Sequence, residues 1–322
     1  MKLNYYIIKN NNFMYNLDTR EYNLLVILIF IIGIYLIIIF LKSNINEIEG
    51  WTNTITKKIY GISIMCIFKN EQDYMEEWIQ YHKSQGIDHI FMYCNDPNLK
   101  NYPYLNNQYK NFITIIDWVN KTNQGSMTIQ RQAYTHCVNN YSNQTQFLLM
   151  LDLDEFLVTT KGYLKVSDYI GSIKSNWDKI KAFKIPRYDF GSNGHITKST
   201  SLVMSNYKLH EKLCSSYKTM ANTDFVNKNE NFFGVHDFNF IDKSGKIFNN
   251  NFGYHETGFP NSCKTNFIND IPLVINHYYT KSYQEYLSRC QLWIDGGINP
   301  IGHRTDCENK FKSRDINEVE GY

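Results

Sequence analysis

The run Phe147-Leu-Leu-Met-Leu-Asp152-Leu-Asp154-Glu155-Phe156-Leu157 constrains the fold more than any other stretch of this 322-residue chain. Its first five residues are apolar with no polar face, so a strand there must be covered on both sides. Strands of that kind belong to parallel sheets layered between helices. Neighbouring segments fit the same plan, with strand patterns over 62–68, 89–94, 112–118, 146–151 and 181–188. Helical periodicity lies between them, over 71–85, 126–139 and 166–175. Asn70 is placed to cap the first helix and Gly86 to end it. Strand and helix alternation predicts an α/β fold, a Rossmann-type, mostly parallel sheet with flanking helices. The aromatic-, Asn- and Gly-rich stretch 227–269 gives no clear pattern.

Ahead of that domain stands an uncharged apolar run over 24–41, LLVILIFIIGIYLIIIFL. At about 1.5 Å per residue it spans roughly 27 Å, close to the hydrocarbon thickness of a bilayer. It is longer than a signal-peptide core, so the expectation is an N-terminal transmembrane helix. The expected organisation is a tail at 1–23, an anchor at 24–41, a stem at 42–58, a catalytic domain at 59–300 and a C-terminal tail at 301–322. Basic residues flank the span almost evenly, so charge does not fix its orientation. With 33 basic and 31 acidic side chains, nothing points to a nucleic-acid partner. The seven cysteines include no CxxC pair, which argues against a zinc module. Cys66, Cys94 and Cys137 read as core residues. Cys214, Cys263, Cys290 and Cys307 are free to pair in an oxidising lumen.

The chemistry is concentrated at the end of the acidic strand. Open α/β sheets bind ligands outside the carboxyl ends of their strands, and a period of two puts Asp152 and Asp154 on one face. Two hard oxygen donors there suit Mg²⁺ or Mn²⁺, with a substrate diphosphate completing the shell.

In order along the chain come Phe68-Lys-Asn-Glu71, Glu77-Trp78, Tyr81-His82 and Gly86. Then follow Gln130 with Tyr134 and His136-Cys137, Asp152 to Leu157, and Phe190-Gly-Ser-Asn-Gly-His195. The last are Gly234-Val-His236 and Asn276-His-Tyr-Tyr-Thr-Lys-Ser282. This ordered set resembles glycosyltransferase family 92, whose fold is of the GT-A nucleotide-sugar-binding type. The resemblance implies a membrane-anchored, metal-dependent transferase. It would move a sugar, galactose from UDP-galactose, to a hydroxyl of a glycan or glycoconjugate acceptor with inversion. It further implies a type II protein with its catalytic domain in the Golgi or ER lumen. Mn²⁺ or Mg²⁺ would be held by Asp154, with Asp152 on metal or ribose and His236 or His277 completing the shell. Lys281 would meet the diphosphate, Glu71 and Asp96 the uracil or ribose, and Arg131 the phosphates. For the general base, Asp189 stands first, ahead of Glu211, Asp224 and Glu230. Arg289 stands where the family resemblance leads one to expect lysine. Two rival readings remain at this point: a catalytically silent glycan- or nucleotide-sugar-binding protein on the same fold, and a metal-dependent nucleotidyltransferase.

Overall fold

The computed structural model describes residues 23–24, 26–39, 58–98, 102, 105, 108–119, 121–122, 128–160, 162–214, 216–228, 235–241, 247–248, 272–295 and 304–321. The chain divides into two compact units, Met1–Lys57 and Lys58–Tyr322.

In the first unit, residues 23–24 and 26–39 are helical, and large apolar side chains such as Ile29, Phe30 and Tyr35 are exposed. Among the described residues no helix is long and apolar enough to cross a membrane, so the structure does not support the expected anchor over 24–41. Positions 25, 40 and 41 of that run lie outside the described residues, as do the expected tail (1–22) and stem up to residue 57.

Among its described residues the second unit holds twelve strands and six α-helices. In chain order they are β1 (Tyr60–Phe68), α1 (Met75–Ser84), β2 (His89–Cys94), β3 (Ile113–Asp117), α2 (Ile129–Tyr141), β4 (Thr145–Met150), β5 (Glu155–Thr159), α3 (Val166–Ser172) and β6 (Ala182–Asp189). There follow α4 (Val203–Asn206), β7 (Leu209–His210), β8 (Ser216–Asn222), β9 (Phe240–Ile241), β10 (Ile247–Phe248), β11 (Leu273–His277), α5 (Tyr283–Asp295), α6 (Arg304–Arg314) and β12 (Val319–Glu320). Eight strands form one sheet in the order β3-β2-β1-β4-β8-β6-β11-β5.

Alternation within the strands explains the two-sided burial. Ile64, Cys66, Ile90, Met92, Phe147 and Leu149 join Met75, Trp78 and Ile79 of α1 in one cluster. The alternate residues Met65, Phe91, Tyr93, Leu148 and Met150 join Ala133, Tyr134 and Cys137 of α2 in another. Each helix thus covers one face, which is why the central strands carry no polar face. Cys66, Cys94 and Cys137 are buried free thiols, as their setting implied.

The sheet is mixed rather than mostly parallel. β3, β2, β1 and β4 run parallel, and so do β6 and β11. β8 is antiparallel to β4 and β6, and β5 is antiparallel to β11. Buried apolar strands look alike in either direction, so periodicity could not separate the two halves.

Local chemistry also shifted two boundaries. Asn70 does not cap α1: it takes a left-handed φ of 58°, and the helix begins at Met75 after a turn. Gly86 does end that helix, at φ 78°, and a Cβ there would lie 2.1 Å from Ser167 Oγ. Residues 304–321 are no tail. α6 is joined to α5 by the disulfide Cys290–Cys307, and β12 pairs with β7. Cys214 is also disulfide-bonded, while Cys263 lies outside the described residues. Much of the unassigned stretch 227–269 also lies outside them.

Candidate active site

β4 lies in the middle of the sheet and β5 at its edge, with β8, β6 and β11 between them. Four inter-strand steps of about 4.8 Å would need roughly 19 Å in a flat sheet. Residues 151–154 make the crossing, and Glu155 N–H closes a turn on Asp152 O at 3.1 Å. A turn that compact requires the sheet to curl, bringing the acidic segment over the ends of the intervening strands. Tyr278 N–H donates to Asp154 O at 2.8 Å and locks the segment to the end of β11.

Register supplies the rest. His277 pairs with Glu155 on one side and Asp189 on the other, so three charged residues stand abreast. Lys218 lies opposite Ile185, whose face of β6 also carries Arg187 and Asp189. The result is a chain of alternating charges that begins at one aspartate of the Asp-Leu-Asp motif and ends at the other. Lys218 Nζ is 2.7 Å from Asp152 Oδ2 and 3.0 Å from Glu155 Oε2. Arg187 is 3.1 Å from Glu155 Oε1 and 3.6 Å from Asp189 Oδ1. His277 Nδ1 is 2.6 Å from Asp189 Oδ1, and its Nε2 is 3.5 Å from Asp154 Oδ1. Arg289 Nη1 reaches Asp154 Oδ2 at 3.3 Å, and its Nη2 donates to Tyr279 O. Arg314 of α6 approaches Asp189 Oδ2 at 3.5 Å.

Charges so crowded set one another's ionisation. Burial would lower the His277 pKa, but Asp154 and Asp189 beside it push it up to about 9. Burial would raise Asp154; His277, Arg289 and Lys281 instead hold it far below the carboxylate range. Burial also opposes ionisation of Asp189, which His277, Arg187 and Arg314 nevertheless keep low. His236 sits beside this chain, its Nδ1 3.3 Å from Ser216 Oγ. Burial, then Lys218 and Arg187, lowers its pKa to about 4.

Two of the residues expected at the site stand apart from this network of pairs. Lys281 is 8% exposed in a left-handed conformation, its ammonium 4.3 Å from the Tyr74 ring centroid. It is held there by the start of α5, where Ser282 N–H donates to Glu285 Oε2 at 3.2 Å and Glu285 N–H to Ser282 Oγ at 3.3 Å. Neither this ammonium nor the Glu71 carboxylate has a hydrogen bond or ion pair among the described residues. The Glu71 backbone N–H is fixed by Tyr102 Oη at 3.1 Å, and that hydroxyl donates to Asp96 Oδ2 at 2.9 Å. Asp96 is 2% exposed and also accepts from Asn98 N–H and Asn70 N–H, so it is committed to shaping the loop after β1. Arg131 lies on α2, whose Gln130 and Tyr134 both donate to Asp152 Oδ1.

Burial pushes the Glu71 carboxyl up to about 7; Lys281 opposes and Asp154 reinforces the shift. A carboxyl raised from its ordinary 4.5 makes folding most favourable below that value, and the benefit is lost as pH rises through 7. Glu71→Gln is therefore expected to raise the melting temperature of the unliganded protein at pH 8. The two proteins should converge near pH 4.5 in paired thermal melts; a constant offset at all pH values would refute the assignment.

The structure brings Asp152, Asp154, Asp189, His277 and Lys281, all expected at the site, into one neighbourhood. The Asp189 carboxylate is committed to His277, Arg187 and Arg314, and its low pKa makes it a poor proton acceptor. It is placed to orient His277. Of the other candidate bases, Glu211 accepts from Asp189 N–H at 2.9 Å, and Asp224 pairs with Lys58 at 2.8 Å; Glu230 lies outside the described residues. Lys218, Arg187 and Arg314 escaped the reading altogether. β-strand register brings the first two to the site.

The family model described as Glycosyltransferase family 92 matches residues 60–319. No curated protein matches the chain. Among solved structures, the crystal structure of HddC from Yersinia pseudotuberculosis aligns with 72% of this chain and 99% of that one. Identity is 9% and the TM-score 0.30, too low a likeness to bear on fold or function.

Proposed function

The chain belongs to glycosyltransferase family 92, and from that premise we propose that it is a metal-dependent hexosyltransferase that uses a UDP-sugar donor. The donor in this reading is UDP-galactose, and the sugar passes to a glycan hydroxyl with inversion. The observation that carries the donor reading is the Lys281 ammonium, buried against the Tyr74 ring beside Asp154 and Glu71 with no hydrogen bond or ion pair among the described residues. A buried cation without a partner costs free energy that an anionic ligand recovers. A diphosphate fits that place as a doubly charged group.

The donor set also suits a divalent cation shared with substrate. Asp154 and His277 are adjacent, and Asp189 holds the far ring nitrogen of His277, the arrangement found behind metal-binding histidines. Among the described residues no group of three or more His, Cys, Asp or Glu is placed to hold a metal. Asp154 and His277 would thus hold the ion together with the substrate diphosphate, as Mg²⁺ and Mn²⁺ sites often do. Bound there, Mn²⁺ or Mg²⁺ would neutralise charge developing on the leaving nucleotide. Asp152, already tied to Gln130, Tyr134 and Lys218, is suited to accept a ribose hydroxyl, and Glu71 a uracil or ribose donor group.

Turnover of a panel of nucleotide sugars, with and without Mn²⁺, tests the reading. Mn²⁺-dependent UDP release from UDP-galactose, with a β-linked product by NMR, is the expected result. Failure to bind UDP at all would refute it. We further propose membrane attachment in a type II arrangement, from the apolar run 24–41 of the sequence alone, and the Cys290–Cys307 disulfide suits a lumenal domain. The full chain should then resist alkaline carbonate extraction from membranes; its release would sink that part.

A further inference from the structure

Lys218 is wholly buried on β8. Its ammonium bridges Asp152 Oδ2 at 2.7 Å and Glu155 Oε2 at 3.0 Å. Glu155 Oε2 in turn accepts the backbone N–H of Asp152 at 2.9 Å. These three contacts close a ring that passes through both the main chain and the side chain of Asp152. The other carboxylate oxygen, Oδ1, accepts from Gln130 at 3.0 Å and Tyr134 at 3.3 Å. A carboxylate has about four acceptor positions. Here Oδ1 uses two and Oδ2 one, which leaves a single direction on Oδ2 open. The side chain is fixed as well as charged, and Lys218 is the only cation shown bonded to it among the described residues.

Resting on the donor reading above, we infer that Lys218 is a positioning residue for the donor nucleotide: it aims the one open acceptor direction of Asp152 at a hydroxyl of the nucleoside. Arg187, from the other side of Glu155, keeps that acid in place for the same purpose. The division of labour that follows is specific. Asp154 and His277 act at the reacting diphosphate, whereas the Lys218–Asp152 pair acts on a part of the donor that does not react. Loss of an interaction made equally in ground and transition states raises KM and leaves kcat unchanged.

Lys218→Met in the full chain is therefore expected to raise the KM for the donor by about 30- to 100-fold, the scale of an ångström's misplacement of a binding group. The kcat at saturating donor should stay within about threefold of the wild-type value. In an Asp152→Asn background the same change should add less than about twofold, because the two residues act as one unit. Lys218→Met leaves two buried carboxylates without their shared cation, so Lys218→Met/Glu155→Gln serves where the single variant fails to fold. Calorimetry with UDP and Mn²⁺ on the folded variant gives the same quantity independently of turnover. Wild-type-like UDP affinity in a folded Lys218 variant, or a loss confined to kcat, would overturn the inference. Full additivity with Asp152→Asn would overturn it too. If the wild-type protein itself bound no UDP, the donor reading would fall and this inference with it.

Discussion

Asp154→Ala should abolish metal-dependent UDP release, with kcat reduced at least about a thousandfold. Metal neutralisation of a leaving group contributes several kcal/mol, and each 1.36 kcal/mol is a factor of about ten in rate. The expected loss falls on kcat because the charge develops only as the glycosidic bond breaks. Stability should respond in a way that separates the roles. In the unliganded protein Asp154 is paired with His277 and Arg289, and its removal leaves both cations facing Lys281. The variant is therefore expected to melt at a lower temperature as well. Asp154→Asn keeps the shape and an acceptor oxygen for His277 and Arg289, and should show the same loss of kcat with a smaller drop in melting temperature. A variant of either kind retaining more than a tenth of wild-type turnover would remove Asp154 from the metal.

Lys281→Met gives the second large effect, with stability moving the opposite way. The ammonium is 8% exposed and faces only the Tyr74 ring, with no hydrogen bond or ion pair among the described residues, so replacing it with a thioether chain of similar length relieves a desolvation cost. The unliganded protein should melt higher. Donor binding should weaken by about 10- to 100-fold, the value of a charge-assisted contact of about 1.5–3 kcal/mol. A residue that lowers stability while serving affinity is held for function rather than for folding. Backbone strain does not confuse the comparison, since both side chains meet the same left-handed φ of 51°. Differential scanning fluorimetry and UDP calorimetry on one preparation read both quantities. A lower melting temperature with unchanged UDP affinity would assign Lys281 to the fold alone.

The same contrast explains which parts of the molecule could be read from sequence. The strands β1, β2 and β4 were visible because helices cover both their faces, and unbroken apolar runs leave a strong trace. Their order and direction left none, so the antiparallel placement of β8 and β5 emerged only from the structure. Asp152 and Asp154 stood out because carboxylates at the end of an apolar strand are unusual. Lys218 did not, because one lysine within SYKTMAN looks like a solvated side chain until β8 is placed between β4 and β6. α6 was hidden for a related reason. Its sequence RTDCENKFKSR buries little beyond Cys307 and Phe311, and the disulfide to Cys290 supplies much of its attachment. Arg314 reaches Asp189 from the end of α6, where Asp315 accepts from Ser192 and Asn317 from Asn193. Asn70 misled because its residue type suits both a helix cap and a left-handed turn, and the turn prevailed.

In the proposed function the metal finds Asp154 and His277 among the described residues and relies on the donor diphosphate for the rest. Electron paramagnetic resonance of Mn²⁺ titrated into the full chain, with and without UDP, tests it most directly. The account predicts weak Mn²⁺ binding to the protein alone and binding close to one ion per chain once UDP is present, lost in Asp154→Ala. Mn²⁺ bound equally well without UDP, or not retained in its presence, would contradict it.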